Sequence, residues 1–102
     1  MEIVIKPNAL EELKKLEFKK EEGFRIEAIF VGSCSIYANH HLKVDQKRPD
    51  DDLFIVEDIP VLISLESQKH LSNKLTLDYN PKFGYKLSSN EEIYSFNLKI
   101  EK

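Results

Sequence analysis

The residue types best suited to chemistry in this 102-residue chain are a lone cysteine, Cys34, and two histidines that follow it, His40 and His41. A cysteine thiolate is both a nucleophile and an iron ligand, and imidazole can replace a thiolate on iron. Cys34 sits in a Gly-Ser-Cys-Ser run that begins at Gly32 and suits a tight chain reversal. These three residues form the candidate site, and the alternative for Cys34 is that it only fills a turn.

Alternating apolar residues on both sides of Gly32 predict the two strands that position this site. The apolar positions are Phe24, Ile26, Ala28 and Phe30 before it, and Ile36, Ala38 and Leu42 after it. This period of two predicts a two-stranded ribbon with Cys34 at its end. His40 shares the parity of Leu42, which predicts a hydrogen-bonded core histidine, whereas His41 has the opposite parity and is predicted to be exposed. At most one of the two histidines can therefore face Cys34.

Composition and charge limit the classes of protein to which this chain can belong. Residues 1–102 are 41% hydrophobic, which suits one compact domain and leaves no room for a second. A single cysteine cannot form an internal disulfide, which favours a reducing, cytoplasmic setting. The 15 basic and 18 acidic residues give a net charge of −3 without a basic patch, so nucleic acid is not an expected partner. No apolar run approaches the ~20 residues of a membrane span, so we expect a soluble protein without membrane contact.

The rest of the chain predicts a mainly β fold with two helices. The first helix has Asn8 and Glu11 at capping-box spacing and a predicted stop at Gly23. The second is a short helix over residues 65–71, capped by Ser64, with its two leucines facing inward. Strand-like segments recur at residues 53–56, 61–63, 75–79, 83–87 and 94–100.

Residues 45–52 predict an exposed loop, because they are dense in charge and contain Pro49. The three consecutive aspartates 50–52 lack the alternate spacing, the glycine and the terminal glutamate of a calcium-binding EF-hand loop. We therefore expect them to be solvated and metal-free. A turn at residues 58–60 is expected to join the next two strands into a hairpin.

The alternation also predicts the buried core. Its expected members are Ile26, Ala28, Phe30, Ile36, Ala38, Leu42, Phe54, Val56, Leu62, Leu77, Phe96 and Leu98, with Leu13 and Leu16 docked on them from the first helix. Residues 94–100 show the clearest period of two, so we expect truncation of Phe96 to be costly.

Several local strings, in chain order, resemble the HesB-like, A-type iron-sulfur carrier family from one end of the chain to the other. They are an opening strand followed by Pro7, Ala9 and Leu10, the Gly32-x-Cys34-Ser35 run after an apolar strand, a hairpin before Ser67, and Leu77-Asp78-Tyr79 before a glycine-containing turn. The resemblance implies one HesB-like domain, a compact sandwich or barrel-like arrangement of about seven to eight short strands. It also implies an iron or iron-sulfur cluster cofactor at Cys34, and iron-sulfur assembly or client proteins as partners.

The chain departs from that family at the residues that hold the cluster. The family pattern around its first cysteine is Gly-Gly-Cys-Ser-Gly, whereas this chain has Ser33 and Ile36 in place of two glycines. Family members end in a Cys-Gly-Cys pair, and residues 90–96 contain no cysteine. A cluster usually needs four ligands, so a homodimer would have to supply two thiolates, with His40 or His41 completing the set.

Three function classes follow from these residues. The first is a divergent carrier or scaffold that binds iron or a cluster weakly through Cys34 in a dimer. The second is a non-catalytic interaction module that kept the fold and lost cluster binding. The third, a cysteine-dependent enzyme, needs a base and an orienting group for which the sequence shows no signature, so we assign no catalytic residue. We expect the first class.

Overall fold

The computed structural model describes residues 1–30 and 38–101, which form nine strands and two helices. The strands are β1 (Glu2–Ile5), β2 (Glu22–Phe30), β3 (Ala38–Gln46), β4 (Asp51–Val56), β5 (Ile59–Ser64), β6 (Lys74–Asn80), β7 (Gly84–Ser89), β8 (Ile93–Leu98) and β9 (Ile100–Glu101). The helices are α1 (Pro7–Leu13) and α2 (Leu65–Gln68). The predicted fold class, mainly β with two helices, is confirmed.

The strands form two sheets. The four-stranded sheet has the order β1-β6-β7-β8, and the five-stranded sheet has the order β4-β5-β2-β3-β9. The predicted ribbon is the centre of the five-stranded sheet, where β2 and β3 pair antiparallel from Glu22 opposite Gln46 to Phe30 opposite Ala38. No helix in the described ranges is long and apolar enough to cross a membrane.

One core cluster combines buried residues of both sheets with the inner face of α1. Its most buried members are Ala9, Leu13, Phe24, Ile26, Leu42, Val61, Ile63, Leu75, Leu77 and Leu87. Among the predicted core residues, Leu13, Ile26, Ala28, Leu42, Leu62 and Leu77 are buried. Others pack against the cluster and are only partly buried, namely Leu16, Phe54, Val56 and Leu98. The predictions for Phe30, Ile36 and Ala38 concern side chains outside the described part of the chain.

Phe96 is 60% exposed, so its predicted place in the core is wrong. The pairing of β7 with β8 is interrupted by register shifts, with Tyr85 opposite Leu98 and Leu87 opposite Ser95. The segment between Ser95 and Leu98 thus contains one more residue than the segment of β7 that it faces. An extra residue reverses the parity of the strand, so Phe96 turns toward solvent.

Both helices are shorter than predicted. The N-cap of α1 is Lys6, which makes no side-chain capping bond, so the capping box expected at Asn8 is wrong. The helix ends at Leu13, and Leu16 and Phe18 of the segment that follows pack against the core outside the helix. Ser64 caps α2 as predicted, with its Oγ accepting a hydrogen bond from the Ser67 backbone N–H at 3.0 Å.

The ends of the second helix differ in burial. Leu71 is buried, as predicted, but Leu65 is exposed. Leu65 is the first residue of α2, and its backbone N–H donates to the Asp50 carbonyl at 2.9 Å. The expected inward position of Leu65 is therefore wrong.

The hairpin of β4 and β5 turns one step earlier than predicted. Glu57 and Asp58 both have positive φ, at 51° and 68°, which is typical of a two-residue hairpin turn with the twist that antiparallel strands favour. Pro60 belongs to β5 and lies opposite Ile55. The turn predicted at residues 58–60 is thus displaced, and Pro60 occupies a strand position.

Candidate functional site

The predicted thiolate, Cys34, lies outside the described residues, as do the neighbouring Gly32 and Ser35. The two strands that flank this segment in sequence are described, and they pair as far as Phe30 and Ala38. The geometry that bears on the candidate site is therefore that of the start of β3, where both predicted histidines lie.

His40 lies on the core face of β3, as its parity predicts, because it is paired with the buried Ala28 of β2. Its ring packs against the ring of Tyr94 on β8, with centroids 5.0 Å apart and planes inclined by 36°. The Nε2 atom of His40 is buried and has no hydrogen-bond partner among residues 1–30 and 38–101. The hydrogen bond expected of a core histidine is thus not found at Nε2 within these ranges.

Burial lowers the pKa of His40 below its ordinary value, because the charged imidazolium is poorly solvated there. The carboxylate of Glu92 acts in the opposite direction, while His41 and His70 reinforce the lowering. The imidazole is therefore neutral near pH 7, and one of its nitrogens carries a free lone pair. A neutral imidazole is the form that binds metal ions.

His41 lies on the other face of β3, so the structure does not bring the two histidines together. It pairs across the ribbon with Glu27, and its Nδ1 lies 3.1 Å from Oε2 of Glu101 on β9. Its side chain is 36% exposed, so the predicted exposure is only partial, because β9 packs alongside β3 at this point. His41 thus has a carboxylate partner, whereas Nε2 of His40 has none in the described ranges of the chain.

Two residues that sequence reasoning missed fix the surroundings of His40. The hydroxyl of Tyr94 accepts a hydrogen bond from the Ser72 backbone N–H at 2.8 Å. The buried Oγ of Ser67 accepts from the Ala28 N–H at 3.1 Å and donates to the Ala28 carbonyl at 3.4 Å, which ties α2 to β2. Tyr94 could have been found from its strand parity. Ser67 is marked in the sequence only through the family resemblance, which does not indicate its contact with β2.

No three side chains among the His, Cys, Asp and Glu of residues 1–30 and 38–101 come together as a group that could hold a metal ion. His40 would therefore bind a metal only with ligands from outside these ranges. The candidates are the chain segment that contains Cys34 and a second molecule.

A separate charged cluster, also missed by sequence reasoning, is centred on Arg25, which is only 1% exposed. Its guanidinium binds both carboxylate oxygens of Asp51, with Nη2 to Oδ2 at 2.7 Å. Its Nε donates to Asp45 Oδ2 at 3.0 Å, and Nη2 also donates to the Gln46 carbonyl at 2.8 Å. The end of β3 and the start of β4 are thereby joined to this arginine.

The Arg25 cluster corrects part of the prediction that residues 45–52 form an exposed, solvated loop. Residues 46–50 and Asp52 are exposed, as predicted, but Asp45 is only partly exposed and Asp51 is buried. β3 extends to Gln46 and β4 begins at Asp51, whose side chain is buried. Burial by itself would raise the pKa of Asp51, but the hydrogen bonds from Arg25 and from the Arg48 backbone N–H, with the charge of Arg25, lower it below its ordinary value. Asp51 is therefore an ionised structural partner of Arg25.

Comparisons with known proteins identify the family. A crystal structure of a protein from Lactobacillus acidophilus, proposed to function in Fe-S biosynthesis, matches this chain with a TM-score of 0.69. The two share 22% sequence identity over 98% of this chain and 88% of the other, which shows a common fold. A search of curated proteins gave no match. The family model described as iron-sulphur cluster biosynthesis matches residues 1–102, so the chain belongs to the iron-sulphur cluster biosynthesis family.

Proposed function

We propose that this protein carries iron or an iron-sulfur cluster as its cargo, with Cys34 as the thiolate ligand and His40 as the nitrogen ligand. Membership of the iron-sulphur cluster biosynthesis family supports the nature of the cargo. The proposal includes a carrier role rather than an enzymatic one, a single domain over residues 1–102, and a cytoplasmic location. A lone cysteine, which cannot form an internal disulfide, suits that reducing compartment.

The observation that carries the proposal is the buried Nε2 of His40, which has no partner in the part of the chain that the structure describes. Leaving a buried polar atom without a partner costs about 1–3 kcal/mol, so such atoms are rare unless they have another role. Coordination of iron would give this nitrogen a partner. His40 also lies close to the first residue of β3, and Cys34 precedes that strand in the sequence.

His41 is the less suitable ligand. Its Nδ1 is already close to the carboxylate of Glu101, and it lies on the face of the ribbon opposite His40. Its Nε2 could bind a metal without disturbing that contact, because a carboxylate beside the other ring nitrogen is a common feature of metal-binding histidines. His40 remains the better candidate because its buried Nε2 lacks a partner among the described residues and would gain one on binding, whereas no nitrogen of His41 is both buried and unpaired there. His41 is therefore the natural control for His40.

The number of ligands supports a site shared between two chains. One thiolate and one imidazole fall short of the four ligands that a cluster usually takes. A two-fold axis near the end of the ribbon would double both donors, giving two thiolates and two imidazoles, a ligand set that is known on two-iron clusters. A homodimer is thus the proposed loaded form, and iron-sulfur assembly or client proteins are its proposed partners for transfer.

A second candidate function is an interaction module that carries no cargo. The observation that favours it is the exposure of two phenylalanines, Phe83 and Phe96, which border one concave surface. Under this alternative, His40 is a packed histidine beside Tyr94, and Cys34 has no metal-binding role.

Anaerobic reconstitution with iron and sulfide separates the two functions. We expect visible absorption and bound iron in the wild-type protein, no absorption in Cys34→Ser, and strongly reduced loading in His40→Gln. His41→Gln is the matched control, because it changes the adjacent imidazole and should load as the wild type does. Equal loading of wild type and Cys34→Ser would contradict the carrier function, and an absence of loading in every sample would favour the interaction module.

A further inference from the structure

Two aromatic side chains are exposed close together near the turn that joins β6 and β7. Phe83 is 58% exposed and Phe96 is 60% exposed. Both line one concavity of about 300 Å³, together with Gly84 and Lys86. Single exposed apolar residues are common on protein surfaces, but two aromatic rings on one concave surface are typical of an interaction site. We refer to this surface as the Phe83–Phe96 groove.

The backbone segments that carry the two rings are held close together. The β6–β7 turn is closed by a hydrogen bond from the Phe83 N–H to the Asn80 carbonyl at 3.2 Å. Gly84 has φ of +106°, and a Cβ at this position would lie 2.6 Å from the Leu98 carbonyl oxygen. The glycine therefore allows the start of β7 to approach the end of β8, the strand that carries Phe96. A preformed surface loses less conformational entropy when a partner binds.

The charges around the groove are mainly positive and unpaired. A second concavity of about 400 Å³ adjoins the first through Phe83 and Gly84 and is bordered by Lys82 and Lys99. These two lysines and Lys86 have no ion-pair partner in the part of the chain that the structure describes.

Two acidic residues line these concavities, Glu12 and Asp78. Glu12 is paired with Lys15 at 2.7 Å, whereas Asp78, which lies opposite Lys86 and accepts a hydrogen bond from the Tyr79 N–H at 2.8 Å, keeps its charge. Three lysines against this one carboxylate make the groove a local cationic surface on a chain with a net charge of −3.

We propose that the Phe83–Phe96 groove binds an acidic segment of a partner protein that inserts an apolar side chain between the two rings. The exposed rings supply apolar area, and the three unpaired lysines attract carboxylates on either side of the inserted residue. Single-stranded nucleic acid also combines aromatic bases with negatively charged phosphates. Its binding sites, however, follow the phosphate backbone with a longer positively charged groove than three lysines on an acidic protein provide. The inference does not depend on cargo, since none of these residues belongs to the proposed iron site.

An NMR titration of the full-length, isotope-labelled apo protein tests this inference. The probe is a short peptide with a Leu-Phe pair flanked on each side by an Asp-Glu pair, added up to about 2 mM, a range that detects weak binding. We expect shift changes confined to residues 79–86 and 96–99, and weaker binding at high salt. Phe83→Ala and Phe96→Ala should each weaken binding at least about 5-fold, as expected for interface aromatics. Ile93→Ala is the control, because Ile93 is 58% exposed on β8 and does not line the groove.

Several outcomes would overturn the inference. These are an absence of shift changes, changes centred away from the groove, or an affinity of the two phenylalanine variants equal to that of the wild type. A neutral peptide with Asn and Gln in place of the acids is a further control, and binding equal to that of the acidic peptide would contradict the role of the lysines. Tighter binding of an oligothymidylate than of the peptide would assign the groove to nucleic acid instead.

Discussion

At the scale of single residues, two buried polar groups differ in their hydrogen-bond partners. The guanidinium of Arg25 is surrounded by acceptors from Asp45, Gln46 and Asp51. The Nε2 of His40 is also buried, and it has no partner among the residues that the structure describes. A fully satisfied buried group is a structural element, whereas an unsatisfied one invites a functional explanation. This contrast is the reason for assigning Arg25 to stability and His40 to the cargo.

Removing the charge of Asp51 should destabilise the protein strongly. In Asp51→Asn the buried guanidinium of Arg25 loses its bidentate partner, and breaking a buried ion pair in this way costs about 3–5 kcal/mol. Urea denaturation checks the free energy of unfolding. Lys69→Gln is the matched control, since it removes the exposed Lys69–Glu66 pair and should leave the unfolding midpoint unchanged. An equal effect of both substitutions would contradict the structural role of Asp51.

The same ion pair predicts how stability depends on pH. The pKa of Asp51 is lowered in the folded protein from the ordinary 3.8, as is that of Asp45. A lowered folded-state pKa gives stability that is fully present above the ordinary value and is lost as pH falls through the lowered value. We expect the NMR titration midpoint of the Asp51 carboxyl carbon to lie below 3.8, with the free energy of unfolding declining over that acidic range. A midpoint above 3.8 would mean that burial outweighs the contacts with Arg25.

At the scale of elements, the irregular pairing of β7 and β8 decides which residues of β8 are buried. Leu87 is fully buried and lies opposite Ser95, while Phe96, the residue after Ser95, faces solvent. The bulges thus move the aromatic ring from the core, where strict alternation would place it, to the surface that forms the Phe83–Phe96 groove.

Truncations on the two faces of this strand pair should therefore differ widely in effect. We expect Phe96→Ala to change the free energy of unfolding by less than about 1 kcal/mol, because little buried area is lost. Leu87→Ala should cost about 2–5 kcal/mol, because it creates a cavity between the sheets. Thermal and urea unfolding of both variants test this. A larger loss in Phe96→Ala than in Leu87→Ala would show that Phe96 is a core residue after all.

The sequence predicts correctly those elements in which apolar and polar residues alternate because one face of the strand is buried. The alternation around Phe24 and Ile26 predicted the β2–β3 ribbon, because a half-buried sheet imposes that period. The exposure of Phe96 depends on register shifts between distant strands, which no local pattern contains. The burial of Arg25 was missed because a charged residue at an outward position of a strand is normally exposed, and its partner Asp51 lay in a segment that resembled a loop.

The sequence predicts the candidate site in the same way, because the faces of the histidines follow from local pattern but their contacts do not. Strand parity in the sequence alone places His40 and His41 on opposite faces, as the pairing of β2 with β3 confirms. The lack of a partner at Nε2 of His40, and the presence of Glu101 beside His41, depend on strands that meet only in the folded chain. These details distinguish the proposed ligand from its neighbour.

At the scale of the whole molecule, the proposal requires two chains to complete one site. The described part of a single chain contains no group of side chains able to hold a metal ion. We expect loaded protein to have twice the mass of apo protein in native mass spectrometry, with both Cys34→Ser and removal of the cargo by a chelator returning it to the monomer. Loaded protein that is strictly monomeric would contradict the shared site.

The most direct test of the account is whether the nitrogen of His40 binds the cargo. Electron spin echo spectroscopy of the reduced, loaded protein, grown with isotope-labelled histidine, reports imidazole nitrogens bound to the cluster. We predict a strong coupling in the wild type that disappears in His40→Gln and persists in His41→Gln. A coupling that is unchanged in His40→Gln, or a loaded wild type with no histidine coupling, would contradict the assignment of His40 as a ligand.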